Sequence, residues 1–154
     1  MKTLPPKIDF GARSLARQLV MQALYQWQLN ALDYKDLNKQ FGEDKDYKKT
    51  DQEYFALLLE NIMSNVESLD ADLEKFVDRP LLQLDPISHA ILWLGLYEFN
   101  QHIEIPFAVV INEAVKLAKK FGAEDSHKFV NAVLEKAAAE IRSTEIEHKK
   151  KTGK

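Results

Sequence analysis

Four histidines, His89, His102, His127 and His148, are the side chains suited to proton transfer near neutral pH, and they are scattered along the chain. No HExxH, no paired-histidine metal spacing, no GxSxG and no glycine-rich phosphate loop occurs. Asp70 and Asp72 are two apart, so on a helix they cannot face each other as an acid–base pair. Glu124, Asp125 and His127 form the densest group of possible metal ligands. They precede an apolar-periodic stretch, where carboxylates satisfy free helix amides, and that role is the expected one. The cysteine count is 0, which rules out disulfides and thiolate metal sites and suits a reducing compartment. Catalysis, metal and cofactor are therefore not expected. What remains is positive charge beside aromatic surface. Arg13 and Arg17 are four apart and share one helix face; Lys119 and Lys120 sit near the end of another helix, with Phe129 beyond them. Such cations can hold phosphates and such a ring can stack on a base. Each also has a plainer reading: a solvated face, a complement to the helix dipole, and a core residue.

The elements that must position these groups are helices. With 5 Gly and 5 Pro in 154 residues and little β-type alternation, the chain reads as all-α. The centre is Asp85–Asn100, DPISHAILWLGLYEFN. Asp85 can cap free amides and Pro86 suits the first helical position. From Pro86 to Phe99, nine of fourteen residues are apolar and fall on every side of the cylinder, so other helices must cover it. The segment is shorter than the ~20 residues a membrane crossing needs. Gly95 lets one neighbour approach closely.

Before this helix, Pro5-Pro6 and Gly11 make residues 1–12 a flexible arm in which Lys7 adds positive charge. Helix one runs about Arg13–Leu32, a short helix about Tyr34–Phe41, and a third helix follows Thr50-Asp51-Gln52-Glu53, read as a capping box with Thr50 as the cap. After the central helix, Pro106 opens a helix that stops at Gly122, and Asp125 or Ser126 caps the last one. From Ser143 the apolar pattern ends, and residues 143–154 read as a disordered lysine-rich tail. The expected fold is a single domain over 13–142: about six to seven helices in two packed layers around the central apolar helix. Formal net charge is -3, which disfavours indiscriminate nucleic-acid binding but leaves room for a local basic patch. No signal-type apolar segment opens the chain, so a cytoplasmic location is expected.

Three stretches resemble the bacterial transcription antitermination factor family NusB: Ala23–Leu29 (ALYQWQL), Ala90–Glu98 (AILWLGLYE) and Ile111–Leu134 (INEAVKLAKKFGAEDSHKFVNAVL). Their order and spacing match from about residue 12 to 142. The resemblance implies an all-α, non-catalytic protein. It would bind single-stranded boxA RNA together with NusE, a small-subunit ribosomal protein, and act on RNA polymerase to promote ribosomal RNA transcription. It assigns RNA contacts to Lys7, Arg13, Arg17, Lys119, Lys120, Asp125 and Phe129, and partner contacts to Tyr25 and Ser88. The chain departs from the family pattern in places. The arginine run of helix one keeps two basic positions, and Ser88, His89 and Trp93 stand where the family carries an acid and two bases. The alternative expectation is a helical protein-interaction module with no direct RNA role.

Overall fold

The computed structural model describes residues 8–152. Among them are eight α-helices and two short 3-10 turns, Tyr47–Lys49 and Leu81–Gln83, and no strand. The helices are α1 (Phe10–Asn30), α2 (Tyr34–Gly42), α3 (Gln52–Ser64), α4 (Val66–Leu73), α5 (Pro86–Gln101), α6 (Phe107–Phe121), α7 (Ser126–Ile141) and α8 (Ser143–Lys151). α5 packs against α1, α3 and α4 on one side and against α6 and α7 on the other, so the two layers share one core.

The central helix starts as its sequence dictates. Asp85 accepts the Ser88 amide at 2.9 Å, and Pro86 takes the first position. Every residue from Ala90 to Phe99 is buried. Gly95 is required by a close approach: a Cβ there would stand 2.9 Å from Leu134 Cδ2 of α7. Trp27 and Trp93, with ring centroids 6.0 Å apart, join α1 to α5 across the same core.

Several helix ends fall elsewhere than the residue pattern suggests. α1 begins at Phe10, inside the stretch read as an arm, because Asp9 accepts the Ala12 amide at 3.0 Å. Residues 1–7 of that arm lie outside the described residues. The cap of α3 is Asp51, which accepts the Tyr54 amide at 3.0 Å. Thr50 is buried instead, its hydroxyl donating to the Asp46 carbonyl at 2.9 Å. Gly122, by contrast, does end α6 as expected, in extended backbone (φ -86); a Cβ there would run into Ser126 Oγ and would stand 2.8 Å from the Ala118 carbonyl oxygen. The stretch from Ser143 is helical where a disordered tail is expected. Its Glu145 binds Arg142 and accepts the Phe107 amide at 3.0 Å, and Ile146 packs on the core. The lysines of its last turn favour the helix dipole.

The Asp51 cap makes a simple test. Asp51→Ala should lower unfolding free energy by about 1 kcal/mol in a urea titration, the usual cost of losing an N-cap. The neighbouring Arg13, 3.5 Å from Asp51, adds little because the pair is partly solvated. An unchanged midpoint would show that α3 is held by packing alone.

Candidate nucleic-acid interface

Arg13 and Arg17 do share a face of α1, but that face turns inward. Arg17 is only 5% exposed. Its Nε donates to Glu98 at 2.8 Å and its Nη1 to Glu113 at 2.8 Å. The Tyr54 hydroxyl donates to the same Glu98 oxygen, the Ser14 hydroxyl to Glu113, and Lys116 binds Glu113 at 2.9 Å. Burial alone would lower the Arg17 pKa, but the charge and hydrogen bond of Glu98 raise it above its ordinary value. Burial and Glu98 together push the Tyr54 phenol well up. Burial works against the Glu113 carboxylate, yet its bonds from Ser14 and Lys116 and the charge of Arg17 hold it below the usual range. Arg17 is thus spent on two internal carboxylates. This corrects its assignment as a phosphate contact: a cation so paired has little field left for RNA.

Arg13 is half-buried, its guanidinium over the Tyr54 ring at 4.4 Å. It faces a groove of about 710 Å³ between the start of α1 and the start of α6. A second groove, of about 380 Å³, runs between Ser14–Gln18 of α1 and Glu113–Lys120 of α6. Lys120 reaches across it to Gln18 at 3.0 Å, with Lys116 on the same rim. Lys119 is exposed but does not line that groove. The concave strip expected of four charges therefore divides: Lys120 borders one groove, Arg13 faces the other, and Arg17 is buried in the wall that both share. Lys7 lies outside the described residues.

Beyond Lys119–Lys120, residues 122–125 turn the chain into α7. Asp125 adopts the left-handed conformation (φ 68) and its side chain caps nothing; it is 66% exposed and pairs with Lys128 at 3.2 Å. The expected cap is overturned because Asp125, turned into that conformation, makes its helix contact through its carbonyl, which accepts the Lys128 amide at 3.0 Å. One turn on, Phe129 is half-buried against the core, and the Arg79 guanidinium covers its ring at 4.2 Å from the centroid. Phe129, Asp125, Arg79 and Ser88 line one open groove of about 280 Å³.

The groove thus joins two residues of the RNA set to one of the partner set. Ser88, however, is only 1% exposed. Its short side chain lies below the surface, so a direct partner contact through it is corrected to a place in the groove wall. Tyr25 is half-buried on α1, one turn before Gln28, whose side chain donates to the Pro86 carbonyl at 2.8 Å and so fixes that part of α1 beside the start of α5. The His89 and Trp93 positions are engaged internally: both rings reach Asp70 of α4, at 2.7 and 2.8 Å. The Arg79–Phe129 contact is legible only in three dimensions, since Arg79 before Pro80 reads in sequence as a helix terminator. Among the described residues, no three His, Asp or Glu side chains converge to hold a metal, and no helix is long and apolar enough to cross a membrane.

The fold and these surfaces define an all-α domain, built round one buried helix, whose open grooves carry mixed charge and an accessible ring. Residues 14–139 match the sequence model of the NusB family, and the chain belongs to that family. It is 45% identical over 134 residues to the transcription antitermination protein NusB of Idiomarina loihiensis, covering 87% of this chain and 96% of that protein. It is 46% identical over 141 residues to NusB of Teredinibacter turnerae, covering 91% and 96%. Among solved structures, T. maritima NusB superposes with a TM-score of 0.73 at 29% identity, covering 91% of this chain and 94% of that one. A complex described as "Antitermination Factors NusB and NusE in complex with dsRNA" gives the same TM-score and identity, covering 82% and 96%.

Proposed function

We propose that this chain is a non-catalytic, cytoplasmic antitermination factor. It binds single-stranded boxA RNA jointly with NusE and acts with RNA polymerase to sustain ribosomal RNA transcription. Family membership supports the class, and the NusB–NusE–RNA assembly supports the kind of partners. The observation that carries the RNA face is local. The exposed Lys119–Lys120 end of α6 connects through residues 122–125 to the Asp125–Phe129 start of α7, placing cations and a ring on consecutive elements. Lys119, Lys120 and Phe129 are the RNA residues of this reading, with Asp125 at the groove edge and Arg13 near the start of α1; Lys7, outside the described residues, joins them by resemblance alone. Tyr25, beside the start of α5, belongs to the NusE-facing surface.

With a net charge of -3 the lone chain has little general pull on RNA, so a one-to-one complex with NusE should precede tight RNA binding. Sedimentation of the mixed proteins at micromolar concentration checks this, and the absence of a complex would remove the partner surface from the reading. RNA affinity should then be measured against salt on boxA-type single strands, with a duplex as comparison. Each phosphate contact on single-stranded RNA contributes about 0.7 to the slope of log affinity against log salt. The double variant Lys119→Ala/Lys120→Ala should reduce the slope magnitude by about 1.4. An unchanged slope would mean that these lysines are solvated decoration. If NusE binds and no RNA does, the helical interaction module is the better description, which the internal pairing of Arg17 favours.

A further inference from the structure

Arg79 follows α4 and its guanidinium lies over the Phe129 ring, 4.2 Å from the centroid. The side chain is 44% exposed, and its Nε donates to neighbouring Asp78 at 2.9 Å. The contact is therefore made by a partly solvated side chain and is not imposed by close packing. A planar cation on an aromatic face occupies the place that a nucleobase takes when it stacks. Guanidinium planes are themselves stacking surfaces for splayed RNA bases. The pair stands at an open groove whose other walls are residues 83–85, Ser88 and residues 124–126; the carboxylates of Asp85, Glu124 and Asp125 on those walls disfavour a phosphate there, so a base arriving in it is held by two stackable faces and not by charge.

We infer that Arg79 and Phe129 form a clamp for one unpaired RNA base. In the free chain the guanidinium rests on the ring. When RNA binds, it lifts by the thickness of one base and closes over the base that enters between. The clamp rests on the reading of Phe129 as an RNA-stacking ring. It adds Arg79 as the residue that completes the stack, and it requires an unpaired base, because a base held inside a duplex cannot enter from both faces.

The test uses the full chain with NusE and boxA-type single-stranded RNA carrying 2-aminopurine at successive positions. Thermal melts confirm that each variant is folded. Stacking should quench the fluorophore at one position in the wild type. Arg79→Ala and Arg79→Lys should both restore fluorescence there and weaken binding by about tenfold, since lysine keeps the charge but has no planar face. Arg79→Lys should leave the salt slope unchanged. Wild-type affinity and quenching in Arg79→Lys would overturn the clamp in favour of a simple charge. Tighter binding by Arg79→Ala would overturn it too, because the guanidinium would then be a competitor of the base. Phe129→Leu separates the two layers of the argument. If it weakens binding while the Arg79 variants do not, the clamp fails and the Phe129 reading stands. If neither Phe129→Leu nor the Lys119/Lys120 double variant changes binding, the RNA face lies elsewhere and the clamp fails with it.

Discussion

Arg142→Ala should destabilise the domain by about 4 kcal/mol although it changes no residue of the central helix. The Arg142 side chain is almost wholly buried at the junction of α7 and α8. Its guanidinium donates to four carbonyls at the end of α5 and in the following turn: Phe99 at 2.9 Å, Ile105 at 2.8 Å, Glu98 at 3.2 Å and His102 at 3.0 Å. It also binds Glu145 at 2.6 Å. The Glu98 and His102 carbonyls also accept backbone amides, from His102 at 3.0 Å and Ile105 at 2.9 Å, so Phe99 and Ile105 are the carbonyls that depend on this one side chain. Each buried acceptor left without a donor costs about 1–3 kcal/mol, and water entering the vacated space offsets part of the sum. Arg142→Lys keeps the charge, but one nitrogen cannot reach carbonyls spread over Glu98 to Ile105, so about half of the loss should remain. Chemical denaturation of both variants checks this. A loss under about 1 kcal/mol for Arg142→Ala would show that the turn holds itself.

The reach of sequence reading is visible in that residue. An arginine after the last apolar position of a helix looks like a solvated end, and nothing in local pattern shows that the turn from Gln101 to Ile105 folds back over it. The central helix is the opposite case. Asp85, Pro86 and nine apolar residues in fourteen determine its start, its type and its burial through local chemistry alone. Boundaries set by a single cap were less legible, because adjacent residues compete for the role: Asp51 displaces Thr50, and Asp9 starts α1 within a stretch containing Gly11. α8 was illegible for a third reason. Its residues are polar, and it is held by Glu145 and Ile146 reaching α6 and the core, contacts that no periodicity encodes.

The candidate interface divides in the same way. Spacing correctly placed Arg13 and Arg17 on one face, but it cannot say which way a face points. Two acids far along the chain, Glu98 and Glu113, draw Arg17 inward. Lys119, Lys120 and Phe129 were assignable by resemblance because they lie in one unbroken stretch, whereas Arg79 joins Phe129 from fifty positions earlier and only folding brings the two together.

Arg17→Ala should cost about 3–5 kcal/mol at neutral pH, the price of leaving buried carboxylates without their cation. Glu98 is almost wholly buried and would retain only the Tyr54 hydroxyl from this cluster; Glu113 would retain Ser14 and Lys116. The variant would lose RNA binding too, so a binding assay alone would wrongly make Arg17 a phosphate contact. Two readouts separate the causes. If the role is structural, loss of RNA binding follows the fraction unfolded, and at a temperature where the variant is folded its salt slope equals that of the wild type. The second readout is pH. The folded-state pKa of Glu113 is depressed, so its stabilising contribution is present above the unfolded carboxylate value of about 4.3 and is lost as pH falls through the lower folded value. Arg17 supplies part of that depression. The stability gap between wild type and Arg17→Ala should therefore be widest near neutrality and narrow as the pH drops below about 4. A gap that stays constant from pH 7 to acid, together with a shallower salt slope for the folded variant, would return Arg17 to the RNA face.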